Sequence, residues 1–293
     1  PAHYSGICGL KPTPGRIPAT GHFPASAGPF ALIGVVGPMA RTVGDLEVMF
    51  AAMAGPDSGD PSSAPVPVRP CKEEEIRRMK IGWFDEDDSV PVTPETSAAV
   101  RRVAECLRAD GFSVVPFKPL HRPGGLKRVR ELWWNIFVRA GAMMIERDAF
   151  GRRAELSSIL QEFLGIAAES PALTTDELLD TWIERDLLRG KLLAEMEDVP
   201  LFICPVCSVP AFRHGEREWQ IGSVKVKYLD AMSYTQWFNI LGNPAAVIPA
   251  GESPEGLPVG VQVVGRPYEE ETVLAAARTV ERLAGHQRKP PLE

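Results

Sequence analysis

Lys80-Ile-Gly-Trp-Phe84 reads as a strand, Thr93-Pro94 supplies an N-cap and a first-turn proline, and Val100, Val103, Ala104 and Leu107 then share one helical face. Gly111 closes that helix and Phe112-Ser-Val-Val115 reads as a second strand. Strand, helix and strand in this order make a parallel pair joined by a right-handed crossover. Downstream, residues 126 to 146 and 175 to 197 carry the periodicity of amphipathic helices, with Asp176 and Glu177 suiting the dipole of the second. Strand-like runs at Leu201 to Cys204, Ala246 to Ile248 and Val259 to Val264 return to the sheet, and Glu269-Glu-Glu-Thr opens a last helix through Leu274, Ala277, Val280 and Leu283. Upstream, Thr42 with Asp45 resembles a capping box ahead of Val43, Leu46, Phe50 and Met53, a helix stopped by Gly55-Pro56. The expected fold class is α/β, a mixed sheet buried between helices. Residues 56–70, with five prolines, read as a surface connector and a seam between subregions.

With 293 residues, 44% of them hydrophobic, the chain can bury a sizeable core. A formal charge of -6 and the lack of a Lys/Arg-rich run argue against nucleic acid or an anionic membrane surface as a partner. No apolar run approaches the roughly 18 to 20 residues of a membrane span, and a cytoplasmic location is expected. Five cysteines, Cys8, Cys71, Cys106, Cys204 and Cys207, are scattered and odd in number, which fits a reducing compartment and no disulfide framework. Cys204-Pro-Val-Cys207 spells C-x-x-C, but Pro210 follows too soon for the helix of a redox pair and no second ligand pair completes a zinc site. The expectation is two small buried residues at the end of a strand.

Three segments carry a family resemblance. Pro1-Ala-His-Tyr-Ser-Gly-Ile-Cys-Gly-Leu-Lys-Pro-Thr-Pro-Gly-Arg16, Gly37-Pro-Met-Ala-Arg-Thr-Val-Gly-Asp-Leu46 and Phe238-Asn-Ile-Leu-Gly-Asn-Pro-Ala-Ala-Val-Ile-Pro-Ala-Gly251, the last followed by Gly256-Leu-Pro-Val-Gly-Val-Gln-Val-Val-Gly265, resemble the amidase signature family in order and spacing. The resemblance implies one amidase domain over residues 1–293 and hydrolysis of a carboxylic amide through a serine acyl-enzyme, with no cofactor and no metal. It also implies where the chemistry sits. In the family a Gly/Ser-rich segment ending in Gly-Gly-Ser-Ile-Arg-(Ile/Val) runs directly into the Pro-Ala at which this chain begins. The nucleophilic serine, a second serine in a cis peptide, the catalytic lysine and the oxyanion donors would all precede Pro1. The expectation is therefore a C-terminal fragment, incomplete at its N-terminus and inactive alone, with no catalytic residue among positions 1–293.

Local substitutes do not assemble a site. Lys11 belongs to an element that follows the nucleophile, Ser5 occupies a position that the family leaves variable, and His3, His22, His121, His214 and His286 are scattered with no Gly-x-Ser-x-Gly elbow to serve. Asp85 to Asp88 form a charge run without the alternating ligands and glycine of a calcium loop. What the chain offers is shape. Leu132, Trp133, Ile136, Phe137, Ala140, Met143 and Met144 form an apolar stripe at helical spacing, with Trp134 beside it. Trp133, Phe137, Met144 and Trp237 are candidate walls of an acyl pocket, suited to an aryl or alkyl group, and plain core packing is the rival reading. Two other functions stay open: the glutamine-cleaving subunit of a tRNA-dependent amidotransferase, whose Gly-Tyr-Tyr-Asp-Ala-Tyr-Tyr-like segment is missing here, and a non-enzymatic binding or scaffold module. The expected partner is a small-molecule amide, with a homodimer left open.

Overall fold

The computed structural model describes residues 1–23, 28–120 and 125–286. The chain starts with a single turn α1 (Ala2–Ser5), then β1 (Cys8–Lys11), β2 (Met39–Ala40), α2 (Val43–Met53), the short α3 (Glu73–Ile76), β3 (Lys80–Trp83), α4 (Pro94–Ala109) and β4 (Ser113–Pro116). A long helical arm follows: α5 (Gly125–Trp133), a π-helical segment (Trp134–Ala140) and α6 (Gly141–Asp148). After it come α7 (Ser158–Ala168), α8 (Thr175–Glu195), β5 (Leu201–Pro205), the hairpin β6 (Glu218–Ile221) and β7 (Val224–Lys227), α9 (Tyr228–Ala231), α10 (Ser233–Leu241), β8 (Ala245–Glu252), β9 (Pro258–Gly265) and α11 (Glu270–Ala284).

Seven strands form one sheet in the order β2-β1-β8-β9-β5-β3-β4. The expected crossover is present: β3 and β4 are parallel, Ile81 opposite Val114, with α4 between them in sequence, and β5 adds in parallel on the other side of β3. Every pairing from β5 through β9, β8 and β1 to β2 is antiparallel. β5 is buried along its whole length, and its side chains alternate between two cores. Leu201 and Ile203 join Val43, Phe50, Val100, Leu107 and Val280 under α2, α4 and α11. Phe202 and Cys204 join Leu132, Ile136, Leu192 and Phe238 under α5, the π segment, α8 and α10. The sheet is the middle layer, as the α/β reading expected.

Two expectations are corrected. The glycines and prolines of residues 1–16 read locally as loop, but Cys8–Lys11 is an interior strand between β2 and β8, because Cys8 and Leu10 face the core while the backbone pairs on both edges. The proline-rich stretch 56–70 is mostly exposed and is tied to the opening motif, since Ala64 N–H donates to the Gly15 carbonyl at 2.8 Å and the Val66 carbonyl accepts from Arg16. Gly15, at φ +80, sits so close beneath it that a Cβ would strike the Ser62 carbonyl.

The second correction concerns the apolar stripe. A uniform α-helix predicts that Phe137, Met143 and Met144 continue the buried face of Leu132, Trp133 and Ile136. Instead Val138 is fully buried, Phe137 and Met144 are half-buried and Met143 is 60% exposed. The π segment is the cause. Each π turn takes in one more residue than an α turn, so the stripe changes register beyond Trp134.

Candidate functional site

The opening turn is fastened to the sheet by His3. Gly260 N–H donates to His3 Nδ1 at 2.9 Å, and His3 Nε2 lies 3.0 Å from the Val209 carbonyl. A carbonyl can only accept, so Nε2 carries the proton and the ring is neutral. Burial holds it so, lowering the His3 pKa to about 4 against the small upward pull of its two backbone partners. Gln262, buried on β9, donates through Nε2 to the carbonyls of Pro205 at 2.7 Å and Tyr234 at 2.9 Å. His3 and Gln262 thus anchor both ends of the loop that carries Val206 to Val209 against α1.

Behind that loop lies a sulfur and aromatic wall. Tyr4 Oη stands 2.8 Å from Cys207 Sγ and 3.2 Å from Met232 Sδ, while Cys207 Sγ reaches the Ala231 carbonyl at 3.1 Å. Phe212 meets the Tyr4 ring edge-on at 5.2 Å and Trp219 at 4.8 Å. Burial pushes the Cys204 and Cys207 thiols up, so neither is poised as a thiolate. The C-x-x-C motif is two buried residues at the end of β5, as expected.

The rest of the opening motif holds a joint together. Arg16 is fully buried, with Nε 3.0 Å from Glu270 Oε2, Nη2 2.6 Å from Glu271 Oε1 and the guanidinium 5.1 Å over the Phe50 ring. Thr13 N–H donates to Glu270 Oε1 at 2.8 Å, and Thr13 Oγ1 accepts from Tyr268 N–H at 2.8 Å. Glu270 and Glu271 form the first turn of α11, where the helix dipole favours them. Lys11 Nζ donates to the Pro12 carbonyl at 2.9 Å, and burial lowers its pKa to about 7, opposed by the charge of Glu270. Ser5 forms part of α1; His22, His214 and His286 do not converge on it, and His121 lies outside the described residues.

Of the four residues proposed from sequence to line a pocket, Trp133 and Phe137 meet, their rings stacked at 4.7 Å and 16°. Phe30 lies over the far side of Phe137 at 6.1 Å and Phe163 meets it edge-on at 5.8 Å. Met144 is half-buried on α6, one turn beyond the π segment. Trp237 is completely buried on α10 and packs on Tyr234 at 4.7 Å. The indole N–H groups of Trp133 and Trp237 are buried without an acceptor among the described residues. Trp134 turns to the opposite side, into a polar cleft of about 400 Å³ where Glu131, Asn135, Arg139, Glu177 and Asp180 also stand. Phe30 and Phe163 escape a sequence reading because each is a lone aromatic in an otherwise unremarkable segment. Arg16 leaves a signal: a buried arginine requires carboxylates, and Glu269-Glu-Glu, which locally reads as the start of a helix, supplies them.

Set against known proteins, residues 1–274 match the family model Amidase. The chain belongs to the amidase family. Among this family's members, a glutamyl-tRNA(Gln) amidotransferase subunit of Acidobacterium capsulatum is 30% identical over 309 residues, an alignment covering 97% of this chain and 62% of that protein. Indoleacetamide hydrolase of Bradyrhizobium diazoefficiens is 28% identical, covering 97% of this chain and 53% of the relative. The structure of fatty acid amide hydrolase superposes with a TM-score of 0.79 at 24% identity, over 98% of this chain and 54% of that one, a likeness of fold. The chain thus spans less than two thirds of the length of these amidases. No helix of the described residues is long and apolar enough to cross a membrane.

Proposed function

We propose that this chain is the substrate-side body of a serine amidase that cleaves a carboxylic amide to acid plus amine or ammonia, with the catalytic lysine and both serines contributed by polypeptide outside positions 1–293. The observation that carries this reading is the family match over residues 1–274 joined to the built surroundings of the opening turn, where His3 and Gln262 fix the backbone that follows Pro1. In the reaction a serine Oγ attacks the amide carbon, the C–N bond breaks as the leaving nitrogen takes a proton, and water then cleaves the acyl ester. Such chemistry needs an attacking group held in register with its substrate, which a frame tied to β5 and β9 supplies.

The acyl group of the substrate lies along the aromatic cluster of Phe30, Trp133, Phe137 and Phe163, with Met144 beyond it on α6 and the completely buried Trp237 left to core packing. Phe137 supports this because it is half-buried, stacked on Trp133 and contacted edge-on, the arrangement of a slot with one accessible side. A second reading, a glutamine-cleaving amidotransferase subunit, is favoured by the 30% identity to the Acidobacterium relative. The aromatic slot separates the two, since a glutamine brings an amino and a carboxylate group that four aromatic rings cannot pair.

The test is a fluorophosphonate label and a substrate series applied to the complete polypeptide that carries this chain. Labelling should fall on a serine outside residues 1–293, and Phe137→Ala should change the kcat/KM ratio between aryl and short acyl amides by about 1 to 3 kcal/mol. Labelling at Ser5 would overturn the assignment of the nucleophile. An equal loss on all substrates with a lowered Tm would make Phe137 a packing residue, and hydrolysis of glutamine in preference to aryl amides would select the second reading.

A further inference from the structure

The outer face of α8 has no role in the reading above. Leu179, Ile183 and Leu187 recur there every four residues and stand 56%, 61% and 61% exposed, while the opposite face of the same helix buries Thr181, Arg185, Leu188 and Leu192. Each of the exposed three leaves apolar surface in water that burial would remove. Gly190 continues the exposed stripe. A Cβ there would meet nothing within 4 Å, so neither contact nor backbone requires a glycine, although a mid-helix glycine is destabilising relative to alanine. It leaves a notch one turn beyond Leu187.

Charge is arranged about the same stripe. Asp176 and Asp180 flank its N-terminal half and Lys191 its C-terminal half, and neither Asp180 nor Lys191 forms an ion pair among the described residues. The other charges near it are already engaged: Glu184 with Arg128 at 2.6 Å, and Asp186 with Arg185 at 2.9 Å. A helix with an apolar centre, acid at one end and base at the other is complementary to an inverted copy of itself.

We propose that α8 is the interface through which two copies of this chain pair, the helices antiparallel about a twofold axis between Ile183 and Leu187. In that register Ile183 packs on the partner's Leu187, Leu179 fills the notch at the partner's Gly190, and Asp180 meets the partner's Lys191. Symmetry makes each contact occur twice. A parallel arrangement would instead set Asp180 against Asp180 and leave the notch facing glycine.

Sedimentation equilibrium on the complete polypeptide that carries this chain tests the interface. The wild type should be a dimer and Ile183→Asp a monomer with unchanged circular dichroism, since Ile183 touches no core. Asp180→Lys and Lys191→Asp should each weaken the dimer by about tenfold, because each converts two attractive contacts to repulsive ones. The double variant Asp180→Lys/Lys191→Asp should recover wild-type affinity, which no folding defect can mimic. A monomeric wild type, a dimer that survives Ile183→Asp, or a double variant no tighter than the singles would each overturn the proposal, as would a different protein or a further segment of the same chain occupying the α8 face.

Discussion

On one face of the sheet, α2, α4 and α11 bury Val43, Leu46, Phe50, Val100, Val103, Leu107, Val273, Ala277 and Val280 at regular α-helical spacing, and the joint to the opening motif is closed by ionic contacts around Arg16. On the other face, α5, the π segment, α8 and α10 bury an aromatic-rich core in which the spacing breaks at Trp134 and three indole or amide atoms, on Trp133, Gln236 and Trp237, stay without partners among the described residues. The first face is regular, although the indole N–H of Trp83, packed against it, also stays without a partner among the described residues. The second tolerates a change of helical register and leaves rings half-accessible, which is the character expected where a protein accommodates variable guests rather than fixed neighbours.

Breaking the first face should have the largest consequence. Arg16→Met leaves Glu270, itself fully buried, with a charge and no cation, and removal of one partner of a buried pair costs about 3 to 5 kcal/mol. Urea denaturation of this variant against wild type measures it; a loss below about 1 kcal/mol would mean that the closed joint contributes little and that the two faces are energetically alike.

The clamp between the faces comes next. Because the folded His3 pKa lies near 4, below the ordinary value of 6.5, the folded state takes up its proton later than the unfolded state as pH falls. The stability linked to this ring is complete above about pH 6.5 and is lost as pH drops through about 4, on the order of 3 kcal/mol in all. His3→Gln, which keeps a donor and an acceptor, should flatten the stability profile over that window. An unchanged slope would place the titration on another group.

The smallest expected effect sharpens the register argument. Val138→Ala should cost about 1 to 2 kcal/mol, whereas Met143→Ala should stay within about 0.5 kcal/mol, because the π segment buries the first and exposes the second. Thermal melts of the two variants distinguish this from a uniform α-helix, which predicts the reverse order.

The difference between the faces also governs what could be read in advance. The crossover from Lys80 to Pro116 was legible because its two strands are short apolar runs and its helix has a cap, a proline and an unbroken period. The N-terminal cap of α2 and the acidic first turn of α8 were legible for the same local reason, whereas the Thr174 cap of α8 was not read. Strand β1 was hidden because glycine and proline surround it, and pairing on both edges with β2 and β8 outweighs those local preferences. The candidate slot was half legible: Trp133 and Phe137 follow from periodicity, but Phe30 and Phe163 reach Phe137 from segments 107 residues before and 26 after it, as their numbers show.

By itself the sequence determined the family, through three motifs in order, the α/β class, the principal helices and most strands, and the burial of the C-x-x-C pair. These depend on neighbours in sequence, on caps, periods and turn residues that act within a few positions. Only the tertiary structure decided the partners of Arg16, the neutral state of His3, the π register of the helical arm and the exposed apolar stripe on α8. The first two rest on groups distant in the chain being brought within a few ångströms, where desolvation rather than local propensity selects the arrangement, and the last two on which face of each helix the rest of the fold covers.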